Sequence, residues 1–154
     1  MEDKIKSFNA AIGYKQKKID LIKNKNNFGA NYTKNSNDFK KKNKVKVIHL
    51  NKFDKFTKKK SLVWIDVQGN EANALLGSTK LIKKKIPFVI EFWPYGINRA
   101  GNKEKLIKQL LKFKFFIDLK IKKKNKIDCN IKNLNELFKK YRSKKATELL
   151  LMNT

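Results

Sequence analysis

The sequence predicts an α/β fold, and three observations carry that reading. The stretch from Ser61 to Tyr95 runs as an apolar strand, an acidic turn, a helix and a second apolar strand, which is one βαβ unit of a parallel sheet. Strand-like and helix-like patterns keep alternating through the rest of the chain, as layered α/β proteins require. With 154 residues and 40% hydrophobic content, the chain can fill the core of one domain spanning residues 1–154, and disorder throughout is excluded.

Taken in order, Phe8 to Ile12 is a short apolar strand stopped by Gly13, and Lys18 to Ile22 returns as a second. Asn24 to Lys44 is rich in Asn and Lys and shows neither a helical nor a strand period, so it reads as a long loop. Val45, Val47 and His49 alternate with Lys46, Ile48 and Leu50, a strand pattern, and Asn51 to Phe56 is a short helical turn. Leu62 to Val67 is nearly all apolar, which suits a strand with neighbours on both sides and is a liability at an open edge. Asn70 stands where an N-cap belongs, before Ala72, Leu75, Leu76, Thr79 and Ile82 at helical spacing, with lysines gathering at the far end. Pro87 to Phe92 is the next strand. Gly101 and Asn102 precede a helix with Leu106, Ile107, Leu110 and Leu111 on one face, and Phe115 to Leu119 is a strand that Ile127 to Ile131 extends or pairs. Asn133 caps a third helix carrying Leu134, Leu137, Phe138 and Tyr141, and Glu148 to Met152 closes the chain as a buried strand.

The formal charge of +26 suggests a polyanionic partner, but among 39 basic residues only Arg99 and Arg142 are arginine. Readers of nucleic acid favour arginine for its bidentate fork. Lysine filling every solvated position, as in an AT-rich genome, explains the charge better, and no specific nucleic-acid partner is expected. Any binding from charge alone would be nonspecific and salt-sensitive. Cys129 is the single cysteine, which excludes an intrachain disulfide and thiolate zinc sites and fits a reducing compartment. Met1 to Lys15 lacks the apolar segment of a signal peptide, and no run approaches the roughly 20 apolar residues of a transmembrane helix, so a cytoplasmic location is the default expectation.

Ligands of open parallel sheets sit where strands end, which marks Asp66, Glu71 and Glu91 as candidate catalytic residues. Asp66 ends an apolar strand, where an unpaired charge is expensive; it is hydrogen-bonded, metal-bound or catalytic, or merely accepts N–H bonds from the next helix. Glu71 lies in a first helical turn, where dipole complementarity alone would explain it. Glu91 interrupts Val-Ile-Glu-Phe-Trp and is expected at a strand end facing a cleft, or else paired with loop amides or a lysine. The three could hold Mg²⁺ or Ca²⁺ through oxygen ligands, although nothing in their spacing requires a metal. Trp93 and Tyr95, in an aromatic turn, are candidate substrate-binding residues, since mixed aromatic and polar walls suit sugars and similar hydroxylated acceptors. Phe92 reads equally well as core. His49, the sole histidine, is a possible base but reads more simply as structural.

The segment Ile65-Asp-Val-Gln-Gly-Asn-Glu71 followed by Leu75-Leu76-Gly77, with Pro87-Phe-Val-Ile-Glu-Phe-Trp-Pro-Tyr-Gly96 at natural spacing, resembles the FkbM family of methyltransferases. The most specific part of the likeness is residues 61–96, with weaker similarity at Asn9 to Gly13 and Thr147 to Leu151. The resemblance implies a class I, Rossmann-like sheet with an antiparallel closing strand, S-adenosylmethionine as cofactor, and a hydroxyl on a small molecule or glycan as acceptor. It also implies a glycine-rich turn for the cofactor and a ribose-binding acid, neither of which is found: the six glycines are scattered at 13, 29, 69, 77, 96 and 101. The family often has Leu-Asp where this chain has Leu50-Asn51. The chain therefore reads as the C-terminal portion of such an enzyme, its N-terminal strands absent, or as a short chain that completes its sheet with a partner chain or by self-association. The competing class is a basic, non-enzymatic protein binding nucleic acid or an anionic surface.

Overall fold

The computed structural model describes residues 5–15, 18–22, 32–34, 44–58 and 60–154. Two sheets organise them. The first joins β1 (Ala11–Ile12), β2 (Lys18–Ile22), β3 (Tyr32–Lys34) and β4 (Lys44–Ile48) in the order β1-β4-β2-β3. The second joins β5 (Val63–Ile65), β6 (Phe88–Phe92), β7 (Phe115–Asp118), β8 (Ile127–Asp128) and β9 (Thr147–Met152) in the order β5-β6-β9-β7-β8. Between them runs a 3-10 helix, Leu50–Phe56, where the sequence predicts a helical turn. The helices are α1 (Glu71–Leu76), α2 (Thr79–Lys83), α3 (Pro94–Arg99), α4 (Lys103–Leu110) and α5 (Ile131–Lys140). This is the mixed α/β architecture the alternating pattern predicts.

β5 and β6 pair in parallel, and β9 runs antiparallel to both β6 and β7. The parallel strands are therefore finishing where β9 begins: Glu91 lies opposite Glu148 and Phe92 opposite Thr147. Asp118, the last residue of β7, faces Leu149 in the same register, so it shares that end of the sheet.

β6 can sit inside this sheet because Phe88, Val89, Ile90 and Phe92 are all buried, as expected of a strand covered on both faces. Phe92 meets Phe138 of α5 edge to face at 4.8 Å, and Phe88 meets Phe113 at 5.6 Å. Emptying either site to alanine would cost about 3–5 kcal/mol, a large share of a typical domain's stability. One apolar cluster joins β5, β6, β7, β9 and all five helices, and Ile12 of the first sheet and Leu50 of the 3-10 helix pack against it.

Several expectations are corrected. The helix after Asn70 is two short helices, broken at Gly77 and Ser78. The break is where the first sheet docks: a Cβ at Gly77 would lie 2.4 Å from the Gly13 carbonyl oxygen, and the Gly77 carbonyl accepts the Asn51 amide at 2.8 Å. Asn51 also accepts the Lys80 amide and donates to Thr79 Oγ1, pinning the start of α2 from 28 residues away. Asn70 makes no side-chain N-cap bond; its Oδ1 accepts the Asn73 side-chain amide. The third helix is capped by Asn130, whose Oδ1 accepts the Asn133 amide at 2.9 Å, so Asn133 lies inside α5.

The first strand is only Ala11–Ile12. Within the predicted loop of Asn24 to Lys44, β3 pairs antiparallel with β2; residues 24–31 and 35–43 of that loop lie outside the described residues. A three-residue strand is set by its hairpin partner and carries no periodic signal. The strand from Leu62 to Val67 shortens to Val63–Ile65 and is an edge among the described residues, with Leu62 52% and Trp64 64% exposed. Leu111, counted with the apolar face of its helix, follows the end of α4 and is exposed.

Candidate active site

The site is built where β5 and β6 end. After β5 the chain turns through Gln68 and Gly69, both left-handed (φ 55° and 98°). A side chain on Gly69 would meet the Gly96 carbonyl oxygen at 2.4 Å, so the turn after β5 lies directly on the start of α3. The turn's carbonyls are satisfied from that side: Asn102 Nδ2 donates to Gly69 O at 3.0 Å and Arg99 Nη2 to Gln68 O at 3.2 Å. The left-handed Gln68, a conformation costing of order 1 kcal/mol for a residue with a Cβ, aims its amide between two carboxylates. Its Nε2 donates to Asp66 Oδ1 at 2.8 Å and to Glu91 Oε2 at 3.3 Å.

Asp66 is exposed, so the desolvation argument for it fails; the chain leaves the apolar strand before reaching it, and water and Gln68 serve its charge. Glu71 is the buried acid, 1% exposed, and more than a dipole complement. Its Oε1 accepts the Val67 and Gly69 amides, both at 3.2 Å, closing the turn onto the helix it begins, while Oε2 has no partner. Burial pushes its pKa above the ordinary 4.5, the amide bonds opposing and the Asp66 charge adding to the rise. Glu91 is half-buried. Burial, then the charges of Asp66 and Glu71, a hydrogen bond with Asp66 and the charge of Glu148 push its carboxyl from 4.5 up to about 7.

The sequence-predicted acids thus come together, with Glu148 joining them from across the sheet, in a chain whose formal charge is +26. Among the described residues no group of three or more His, Cys, Asp or Glu side chains is disposed to hold a metal ion. His49 lies elsewhere, its ring 5.5 Å from Tyr14.

The aromatic turn is the start of α3, with Pro94 in its first turn. Trp93 and Tyr95 stand 5.4 Å apart; Arg99 lies over Trp93 at 5.3 Å and Lys144 over Tyr95 at 5.6 Å. Tyr95 is 46% exposed and Trp93 half-buried, while Phe92 is core. Sequence reasoning missed Gln68, Arg99, Asn102 and Glu148 as partners of the site. Gln68 lay within the motif, but a left-handed glutamine has no sequence signature.

A second polar assembly occupies the same end of the sheet. The buried Asp118 accepts from Tyr141 Oη at 2.6 Å, Thr147 Oγ1 at 2.6 Å, Lys140 Nζ at 2.8 Å and the Lys120 amide at 3.2 Å. Burial pushes this carboxyl up, but those donors outweigh it and hold its pKa below the ordinary value. It locks α5 to the ends of β7 and β9.

A parallel strand pair closed by an antiparallel strand and flanked by helices is consistent with a methyltransferase-like α/β fold. The chain belongs to the FkbM methyltransferase domain family, whose model matches residues 3–114. No curated protein and no solved structure matches it. Among the described residues no helix is long and apolar enough to cross a membrane.

Proposed function

We propose that this chain supplies the acceptor side of an O-methyltransferase site, binding a hydroxylated small molecule or glycan and taking up the proton of the hydroxyl that is methylated. The observation that carries this is Glu91, held by Gln68 at the end of β6 two residues before the Trp93–Tyr95 pair, its carboxyl pushed up to about 7 by burial and by the charges of Asp66 and Glu71. A base works best with a pKa near the working pH, and a positioned base typically contributes 10²–10⁴-fold. In this reading Gln68 holds Glu91 and Asp66 in place, Trp93 and Tyr95 hold the acceptor, and Glu71 keeps the turn closed. Tyr95 offers the larger exposed surface for a sugar ring.

The family implies S-adenosylmethionine as the source of the methyl group. In this reading the cofactor cradle comes from elsewhere: Gly69 is packed against Gly96 and Gly77 against Gly13, so neither leaves room beside its glycine. β5 also has an unpaired outer edge among the described residues, where strands of a class I sheet would pair. A partner segment carrying those strands would complete both the sheet and the cofactor pocket.

Two measurements test this. Calorimetric titration of the chain with S-adenosylmethionine should show weak or no binding; a dissociation constant in the low micromolar range, about 8 kcal/mol, contradicts the missing cradle. Supplying an FkbM-type N-terminal segment by fusion should give methyl transfer to a hydroxyl acceptor. In that protein Glu91→Gln should cost about a hundredfold or more and Asp66→Asn less, whereas parent-level rates in both variants would sink the proposed site.

A further inference from the structure

Apart from Lys144, which lies over Tyr95, the C-terminal end of α5 and the loop leading into β9 are unused by this reading, and they lie beyond the segment that matches the family. Two cavities open there. One of about 890 Å³ is lined by Glu136, Lys139, Lys140, Arg142, Ser143 and Lys145. The other, about 540 Å³, is lined by Lys120, Ile121, Lys140, Tyr141 and Lys145. Both fall within the size range of small-ligand pockets. Lysines at a helix C-terminus are ordinary complements to the helix dipole, which accounts for Lys139 and Lys140. It does not account for Lys120, which comes from the end of β7, nor for Arg142 and Lys145 of the loop.

Three features make this corner more than a solvated lysine face. Lys140, shared by both cavities, is pinned by the buried Asp118, as is Tyr141 beside it. Ser143 and Lys144 are held left-handed (φ 62° and 64°) without glycine, which costs of order 1–3 kcal/mol per residue and turns the loop sharply between Arg142 and Lys145. Arg142 is one of only two arginines among 39 basic residues, so the cavity holds one of the chain's rare bidentate donors.

We propose that the larger of these cavities binds a multiply charged phosphate group, such as the pyrophosphate of a phosphorylated small molecule, with Arg142, Lys145 and the Ser143 hydroxyl as its donors. Planar guanidinium forks and clustered ammonium groups give the short, charge-assisted bonds that phosphate oxygens accept. The site does not depend on methyl transfer.

The test uses the full chain at about 150 mM ionic strength, where long-range attraction from the net charge is screened. Pyrophosphate is titrated calorimetrically and by amide NMR, in parallel with vesicles of phosphatidylcholine with and without phosphatidic acid. Saturable pyrophosphate binding with shifts centred on Ser143 is expected. Arg142→Gln/Lys145→Gln should weaken it about tenfold, and Arg142→Lys, which keeps charge but loses the fork, about threefold. Lys83→Gln/Lys85→Gln removes the same charge at the opposite end of the sheet and should change affinity less than about twofold. Binding to phosphatidic acid vesicles alone, abolished by the Arg142 and Lys145 substitutions, would assign the same phosphate site to a lipid headgroup. Equal losses in the two double variants, or no saturable binding to either probe, would overturn the proposal. All the substituted residues are exposed, so circular dichroism should confirm unchanged folding.

Discussion

Glu91→Gln should make the protein more stable above neutral pH and leave it nearly unchanged in acid. In the folded chain the Glu91 carboxyl is raised from 4.5 to about 7, first by burial and then by Asp66 and Glu71. The folded state therefore binds more protons than the unfolded state between those values, so stability falls as pH rises through 4.5 to 7. The deficit is absent below that window and complete above it. The full shift corresponds to about 3 kcal/mol, and because Glu91 is only half-buried, solvent screening reduces this to about 1–2 kcal/mol. Glutamine keeps the shape and carries no charge to desolvate. Urea unfolding of parent and variant at pH 4.5, 6 and 8 isolates the effect, since the protein's self-repulsion from its large positive charge is nearly common to both. The variant should gain about 1–2 kcal/mol at pH 8, or about 2–8 °C in Tm, relative to its difference at pH 4.5. A difference that stays constant across this range would refute the reasoning, because it would mean that Glu91 titrates alike in both states.

Glu71 separates charge from hydrogen bonding: Glu71→Gln should be neutral or stabilising at pH 8, where burial opposes the charge, while Glu71→Ala should cost about 1–3 kcal/mol in urea unfolding by orphaning the Val67 and Gly69 amides. Asp118→Asn should cost about 3–5 kcal/mol by breaking a buried charged network, and Tyr141→Phe about 1–2 kcal/mol, both read as lowered urea midpoints. The depressed Asp118 pKa adds stability that is present above its unfolded value of 3.8 and lost as pH falls through the folded one, so the two Asp118 proteins should converge in strong acid. Gly69→Ala should unfold the site by driving a Cβ into the Gly96 carbonyl at positive φ, visible as a drop in Tm and changed Trp93 fluorescence.

The central third of the sequence specified most of what the structure builds there. Phe88 to Phe92 is β-rich and apolar but for Glu91, and Leu134, Leu137, Phe138 and Tyr141 keep one helical period, so β6 and the buried face of α5 were legible. The division of the helix at Gly77 was not, because it is imposed by the Gly13 carbonyl after β1 and by Asn51 of the 3-10 helix. Glu91 was legible as a polar interruption of an apolar strand. Its neighbours were not: Glu148 is 57 residues away and reaches it only through the β6–β9 register, and Gln68 does so through a left-handed turn. Asp118 read as a strand residue, yet its three side-chain donors come from 22 to 29 residues further along the chain. Long-range polar pairing leaves no periodic trace in a sequence.

The proposal that Glu91 is the proton acceptor is tested most directly by a carboxyl ¹³C NMR titration of the full chain, with the Glu91 resonance assigned by its loss in Glu91→Gln. A midpoint near 7, shifting downward when Asp66 is replaced by asparagine, is the predicted result, because Asp66 is the largest contributor to the rise after burial. A midpoint near the ordinary 4.5, indifferent to Asp66, would contradict it and leave the strand ends without a base matched to neutral pH.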